Sequence, residues 1–162
     1  MVNNIGKEIK NKFNDLFTFN PKEVPVSVFY CVSIIIVFLL YISNVIKSIP
    51  CGKDMKHVFM TNFIHIDFEH LLANLFGLYS LSRVERNMGT KPFFFLVLYL
   101  LIVSSVIESI IHKIFKNIPC SIGFSGVLFG VMTYEIIKTK KINIFLVGSI
   151  LLNLIPEKKI YL

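Results

Sequence analysis

Five apolar segments run along this chain, separated by shorter polar stretches. They cover about residues 26–46, 67–82, 93–111, 125–137 and 142–155. A helix of roughly 20 apolar residues crosses a bilayer core of about 30 Å, and the first segment is long enough to do so. The last segment, with about 14 residues, would rise only about 21 Å as a helix. The pattern predicts an all-α membrane protein, a polytopic helical bundle with about five transmembrane helices.

Polar residues divide the chain into two parts. Residues 1–24 are polar and contain several lysines, without an apolar core or a small-residue cleavage site. We therefore expect an N-terminal lead and not a signal peptide. Residues 25–162 are predicted to form one transmembrane domain. Within it, the polar stretch 47–60 and the charged stretch 83–91 are predicted to be loops.

Composition supports a membrane protein and argues against a nucleic-acid partner. Of the 162 residues, 54% are hydrophobic, which exceeds the share in an ordinary soluble domain. A net charge of +7 is also typical of proteins that bind nucleic acids. The basic residues, however, lie between the apolar segments and do not form a patch interleaved with aromatic side chains. The lipid bilayer is the expected partner, and no nucleic acid is expected.

The distribution of basic residues predicts an orientation. Ten lie on the side of the N-terminus and seven on the other side of the predicted spans. Cytoplasmic loops carry an excess of Lys and Arg, so the N-terminus is predicted to be cytoplasmic. Five spans then place the C-terminus on the outer side. The pattern identifies neither the organelle nor the oligomeric state.

The three cysteines do not indicate a metal site or a disulfide framework. Cys31 lies in the first apolar segment, whereas Cys51 and Cys120 lie in two loops predicted on the same side. A disulfide between these two is an option only if that side is oxidising. We expect no metal and no cofactor.

A serine flanked by glycines opens the fourth segment. Gly123 lacks a β-carbon and permits a tight bend, and the residues from Ser125 onward are predicted to be helical. The first backbone N–H groups of a helix have no intrahelical partner, so they could stabilise an oxyanion beside the serine hydroxyl. The same residues also suit a close-packed helix start, and the spacing of Gly126 and Gly130 would let another helix approach.

The second segment carries polar residues on one helical face. His70 and Asn74 are four residues apart, and such side chains are costly in a membrane unless they are paired or functional. A structural hydrogen bond between helices is the alternative interpretation. The predicted topology starts both the second and the fourth helix from the outer side. Ser125, His70 and Asn74 are therefore expected at similar depth, forming one site that opens outward.

Three stretches together resemble the rhomboid intramembrane serine proteases. The stretch from His65 to Asn74 is similar to the histidine-rich entry of that family's second helix. The stretch from Glu85 to Gly89 resembles its Glu-x-x-x-Gly, and that from Gly123 to Gly126 its Gly-x-Ser-Gly. Order, spacing and predicted membrane placement agree with the family from about residue 57 to residue 155.

The resemblance implies a role for each matching residue. Ser125 would be the nucleophile that attacks a peptide bond of a membrane-anchored protein substrate. His70 and Asn74, with the Ser125 backbone N–H, would form the oxyanion hole, and Gly123 would shape the adjoining loop. His65 would be a supporting polar residue. Glu85 would be a structural anchor.

The chain also departs from the family pattern. Lys56-His57 stands where the family has Trp-Arg, and Leu81 replaces a glycine. The family's general base is a histidine of a sixth helix, but no histidine follows His112, and the sequence stops where that helix is expected. Three hypotheses follow: a fragment or truncated form of an active intramembrane protease, a pseudoprotease that binds transmembrane clients without cutting them, or a small transporter or channel component.

Overall fold

The computed structural model describes residues 20–47, 54–115, 118–119 and 121–140. These residues form five helices and no strand: α1 (Pro25–Ile42), α2 (Met55–Thr61), α3 (Phe68–Met88), α4 (Thr90–Ile114) and α5 (Ser125–Thr139). The all-helical prediction is confirmed, and four of the predicted apolar segments are helical. The fifth segment, 142–155, and Cys51 and Cys120 lie outside the described residues, as does most of the lead 1–24.

Helices α1 and α4 have the length and composition of membrane spans, each with a mean hydropathy of 2.5. Along α1, the residues buried against the bundle recur every three or four positions. The other face is apolar and exposed, as at Phe29, Ile36 and Leu39. A continuous apolar surface of this kind suits lipid rather than water. The protein is therefore a helical membrane bundle.

The stretch 83–91, predicted as a charged loop, is mostly helix, and that prediction is wrong. Helix α3 continues to Met88, and Gly89, with φ +90°, alone separates it from α4. The charged side chains fit a helix because they are paired inside the bundle. Arg83 of α3 contacts Glu135 of α5 at 2.8 Å, and Glu85 is fully buried.

Glu85 holds the start of α1. Its carboxylate accepts hydrogen bonds from the backbone N–H of Val26 at 2.9 Å and of Ser27 at 2.8 Å. It also accepts one from the Ser27 hydroxyl at 2.7 Å. The first N–H groups of a helix lack intrahelical partners and carry positive partial charge, so a carboxylate is well placed there. Glu85 thus links the end of α3 to the start of α1.

Two further differences concern the ends of elements. The predicted loop 47–60 contains α2, which extends to Thr61. Helix α1 ends at Ile42, four residues before the end of the predicted span, and Asn44 follows in a left-handed conformation with φ 59°. Asparagine tolerates that conformation better than most residues do, which lets the chain leave the helix there.

Glycines let the helices pack closely, but only one member of the pair that the sequence suggested takes part. A β-carbon at Gly130 would lie 2.5 Å from Leu100 Cδ2 of α4, and one at Gly77 would lie 2.7 Å from Leu128 Cδ1 of α5. Gly126, by contrast, has no described neighbour within 4 Å of such an atom. Close approach therefore depends on Gly77 and Gly130, and the prediction fails at Gly126.

Candidate active site

Ser125 is the first residue of α5 and is half-buried. The first backbone bonds of this helix run from the N–H groups of Val127 and Leu128 to the carbonyl of Phe124, at 3.1 and 3.2 Å. The N–H groups of Ser125 and Gly126 precede them and have no intrahelical acceptor. A hydroxyl and free N–H donors therefore meet at one helix end, as acyl-transfer chemistry requires.

The turn before Ser125 is held against the entry to α3. Gly123 has φ +99°, a conformation that residues with a β-carbon rarely adopt. Its N–H donates to the carbonyl of Thr61 at the end of α2, at 2.9 Å. A β-carbon at position 123 would overlap the imidazole of His70 and would lie 3.6 Å from His65 Nε2. The structure thus brings Gly123, His65 and His70 together, with Ser125 two residues further along the chain.

The start of α3 fixes His70 and Asn74. Asp67 caps the helix, and its side chain accepts the backbone N–H of His70 at 2.6 Å. Asn74 lies one turn later, fully buried, and its Nδ2 donates to the His70 carbonyl at 2.9 Å. An amide nitrogen carries two hydrogens, so one Nδ2 hydrogen remains for another acceptor.

His65 is the supporting residue named by the resemblance, and it is fully buried. Its Nδ1 lies 3.2 Å from the Phe63 carbonyl, and its ring centroid lies 4.9 Å from that of His70. Burial, and secondarily the neighbouring His70, lowers the pKa of His65 from 6.5 to about 4. At neutral pH the ring is uncharged, so Nδ1 donates to the carbonyl.

Two buried polar atoms at this site make no hydrogen bond within the part of the chain that the structure describes. They are His65 Nε2 and Asn74 Oδ1. Buried polar atoms are nearly always paired in proteins, and an exception has a cause such as strain, a catalytic role, or a bound water or ion. The entry of α3 therefore contains two buried polar atoms that take no part in the hydrogen bonds between the described helices.

An aromatic cluster that the sequence did not reveal supports the turn. The fully buried ring of Phe124 lies 5.1 Å from that of Tyr30 and 5.9 Å from that of Phe63, measured between centroids. These three residues come from three distant parts of the chain, so no local pattern could have grouped them. Their packing fixes the residue immediately before Ser125.

The remaining histidines lie in other surroundings. His57, at the position where the family has arginine, contacts Asp54 at 3.6 Å. His112 of α4 contacts Glu108 at 3.5 Å. Among the described residues, the Ser125 hydroxyl has no hydrogen-bond partner, and no three His, Cys, Asp or Glu side chains are grouped as a metal site would need.

The fold and the site define a class: a helical membrane protein with a Gly-x-Ser-Gly turn packed against two histidines of a neighbouring helix entry. A family model described as the Rhomboid domain matches residues 52–156. A protein of Acanthamoeba polyphaga mimivirus that is named as a rhomboid protein is 28% identical over 129 residues, covering 79% of this chain and 74% of that protein. No solved structure matches the chain. This chain belongs to the rhomboid family.

Proposed function

We propose that this protein is an intramembrane serine endopeptidase that cleaves membrane-anchored protein substrates. The observation that carries the proposal is the contact between Gly123 and the His70 imidazole, two residues before the serine that opens α5. This contact supports a shared site for the hydroxyl, the free N–H groups of the helix start and the polar side chains of α3. Membership of the rhomboid family supports the same reaction class.

In the proposed reaction, the Ser125 hydroxyl attacks the carbonyl carbon of the scissile peptide bond. The carbonyl oxygen then carries negative charge, which the Ser125 N–H, the remaining Nδ2 hydrogen of Asn74 and His70 stabilise. Collapse of the intermediate breaks the C–N bond and releases the amine, which takes up the proton that the serine lost to the base, and leaves an acyl-serine. Water hydrolyses this ester to a carboxylic acid and regenerates the serine hydroxyl. A base must accept the serine proton, since the free hydroxyl is a weak nucleophile. In the family that base is a histidine of a sixth helix, and no histidine follows His112 in this sequence.

The proposal includes an arrangement in the membrane. The chain crosses the bilayer several times, with a cytoplasmic N-terminus and with the site opening on the outer side. Support comes from the apolar outer faces of α1 and α4 and from the basic residues at the ends of α3 and α5. Arg86 and Lys138 lie in the last turns of these helices, at the end where Arg83 meets Glu135.

One observation favours a second function, that of a pseudoprotease that binds transmembrane clients without cutting them. Within the described residues, no side chain makes a hydrogen bond to the Ser125 hydroxyl. A pseudoprotease would keep the bundle and its client-binding surface, and it would need no activated serine.

The test is a cleavage assay with the protein purified from its own membrane and reconstituted in liposomes with a single-span reporter protein. The protease proposal predicts a new reporter fragment with the wild-type protein and none with Ser125→Ala. Ser104→Ala is the matched control, since among the described residues the Ser104 hydroxyl donates to the Leu101 carbonyl of its own helix. Capture of the intact reporter by both wild type and Ser125→Ala, without cleavage, would support the pseudoprotease instead.

A further inference from the structure

Helix α4 contains a carboxylate that the proposed reaction does not use. Glu108 lies in the last part of this helix, and its side chain is 19% exposed. Its Oε1 accepts the backbone N–H of Ser121 at 2.9 Å. Ser121 lies only four residues before the candidate nucleophile. The carboxylate therefore contacts the segment that leads into the site.

Residues 121–125 are held at two points by different helices. Glu108 of α4 holds the N–H of Ser121, and the Thr61 carbonyl at the end of α2 holds the N–H of Gly123, each at 2.9 Å. Only Ile122 separates the two anchored residues. Because the bonds are so close along the chain, together they set both the position and the direction of the backbone as it enters Gly123.

The two anchors are also connected to each other. Asn62, directly after α2, donates from Nδ2 to the hydroxyl of Ser105 on α4 at 3.4 Å. Ser105 and Glu108 are three residues apart, so they lie on the same face of α4. One face of α4 thus contacts both the segment after α2 and the segment before α5.

His112 lies next to the Glu108 carboxylate and orients it. His112 lies one turn after Glu108, and its Nε2 is 3.5 Å from the same Oε1. The His112 side chain is 14% exposed, so the pair is shielded from most of the solvent.

We propose that Glu108 is a positioning residue of the site: by accepting the Ser121 N–H it fixes the turn in which Gly123 lies against His70, directly before Phe124 and Ser125. The expected effect on catalysis rests on the proposed function. The hydrogen bond between Glu108 and the Ser121 N–H does not depend on it. Glu108 touches neither substrate nor the reacting atoms.

The test compares wild type with Glu108→Leu, Glu108→Gln and Ser104→Ala in the purified full chain. Glutamine keeps a carbonyl oxygen that can accept the Ser121 N–H, and leucine has similar size but no acceptor. Two rates are measured: hydrogen exchange of the peptide containing residues 118–125, and fluorophosphonate labelling of Ser125. Loss of this hydrogen bond predicts exchange about fivefold faster and labelling about fivefold slower in Glu108→Leu. Glu108→Gln and Ser104→Ala should stay within about twofold of wild type for both rates.

An unchanged rate of hydrogen exchange in Glu108→Leu would show that Glu108 does not hold the Ser121 N–H, and the proposal would fail. Faster exchange with an unchanged labelling rate would overturn the positioning role. If wild type itself is not labelled, the proposed function fails, and the exchange measurement still decides whether Glu108 holds the turn. If Glu108→Leu does not fold, loss of labelling in a folded Glu108→Gln, with its exchange unchanged, would likewise overturn the proposal.

Discussion

Gly123 lies so close to the imidazole of His70 that a β-carbon at position 123 would overlap the ring. This contact joins two segments more than 50 residues apart in the sequence, the turn before α5 and the first turn of α3. It also fixes where the helix that begins with Ser125 starts. The geometry of the candidate site therefore depends on a residue with no side chain.

Gly123→Ala should disrupt the site. The new methyl group displaces His70, and the positive φ of +99° is unfavourable for alanine. We expect a loss of roughly 2 kcal/mol in stability, together with loss of serine labelling. Thermal unfolding in detergent measures the first effect. Gly126→Ala is the matched control, because a β-carbon there meets no described atom within 4 Å. Equal effects of the two substitutions would contradict the proposed contact.

Removal of the Glu85 carboxylate should loosen the start of α1. Glu85→Ala leaves three hydrogen-bond donors of Val26 and Ser27 without their buried acceptor. We expect destabilisation of roughly 3 kcal/mol, measured by thermal or denaturant unfolding in detergent. Glu69→Ala is the control, since Glu69 is exposed in the first turn of α3 and should cost well under about 1 kcal/mol. A Glu85→Ala protein as stable as wild type would mean that α1 is held by its apolar contacts alone.

The stability of the packing between α4 and α5 should depend on the side-chain volume at position 130. Gly130→Ala places a methyl group against Leu100 and should cost roughly 1–2 kcal/mol. Leu100→Ala makes room for that methyl group, so the double variant should lose less stability than the two single losses added together. Unfolding of the four proteins in one detergent gives this comparison. Strict additivity would show that the two residues do not meet.

Protonation of His65 should destabilise the fold below neutral pH. The folded pKa of about 4 lies below the ordinary value of 6.5, so between these values the unfolded chain binds a proton that the folded protein excludes. The stability contribution is fully present above pH 6.5 and is lost as the pH falls toward 4, by roughly 3 kcal/mol at most. We expect the melting temperature to fall between pH 7 and pH 5, and to fall less in His65→Gln.

His57→Gln is the control for that titration, because the His57 side chain is 38% exposed. It should keep the wild-type dependence on pH. If wild type and His65→Gln show the same slope between pH 7 and pH 5, His65 is not the titrating group.

Local pattern was sufficient to predict four of the five described helices, since hydrophobic runs are recognised from neighbouring residues, but it missed the short helix α2. It failed at 83–91, where charge suggested a loop. Whether Arg83 and Glu85 face water depends on Glu135 and on the start of α1, which are distant in sequence. The same reason explains why Gly126 was chosen for close packing in place of Gly77.

Sequence motifs predicted which residues belong to the candidate site. They did not predict which of these residues contact one another. Spacing put His70 and Asn74 on one helical face, and the resemblance singled out Ser125 and Gly123. Three parts of the site do not belong to any sequence motif: the Thr61 carbonyl, the aromatic cluster around Phe124, and Glu108. Their contribution arises from backbone atoms and from packing between segments, which only the folded chain displays.

The most direct test of the account is mapping of the residue modified by a fluorophosphonate in the protein purified from its own membrane. Mass spectrometry of the labelled protein identifies that residue. The account predicts modification of Ser125, its loss in Ser125→Ala and in Gly123→Ala, and its retention in Ser104→Ala. A correctly folded wild-type protein in which Ser125 stays unmodified would contradict the assignment of Ser125 as a nucleophile.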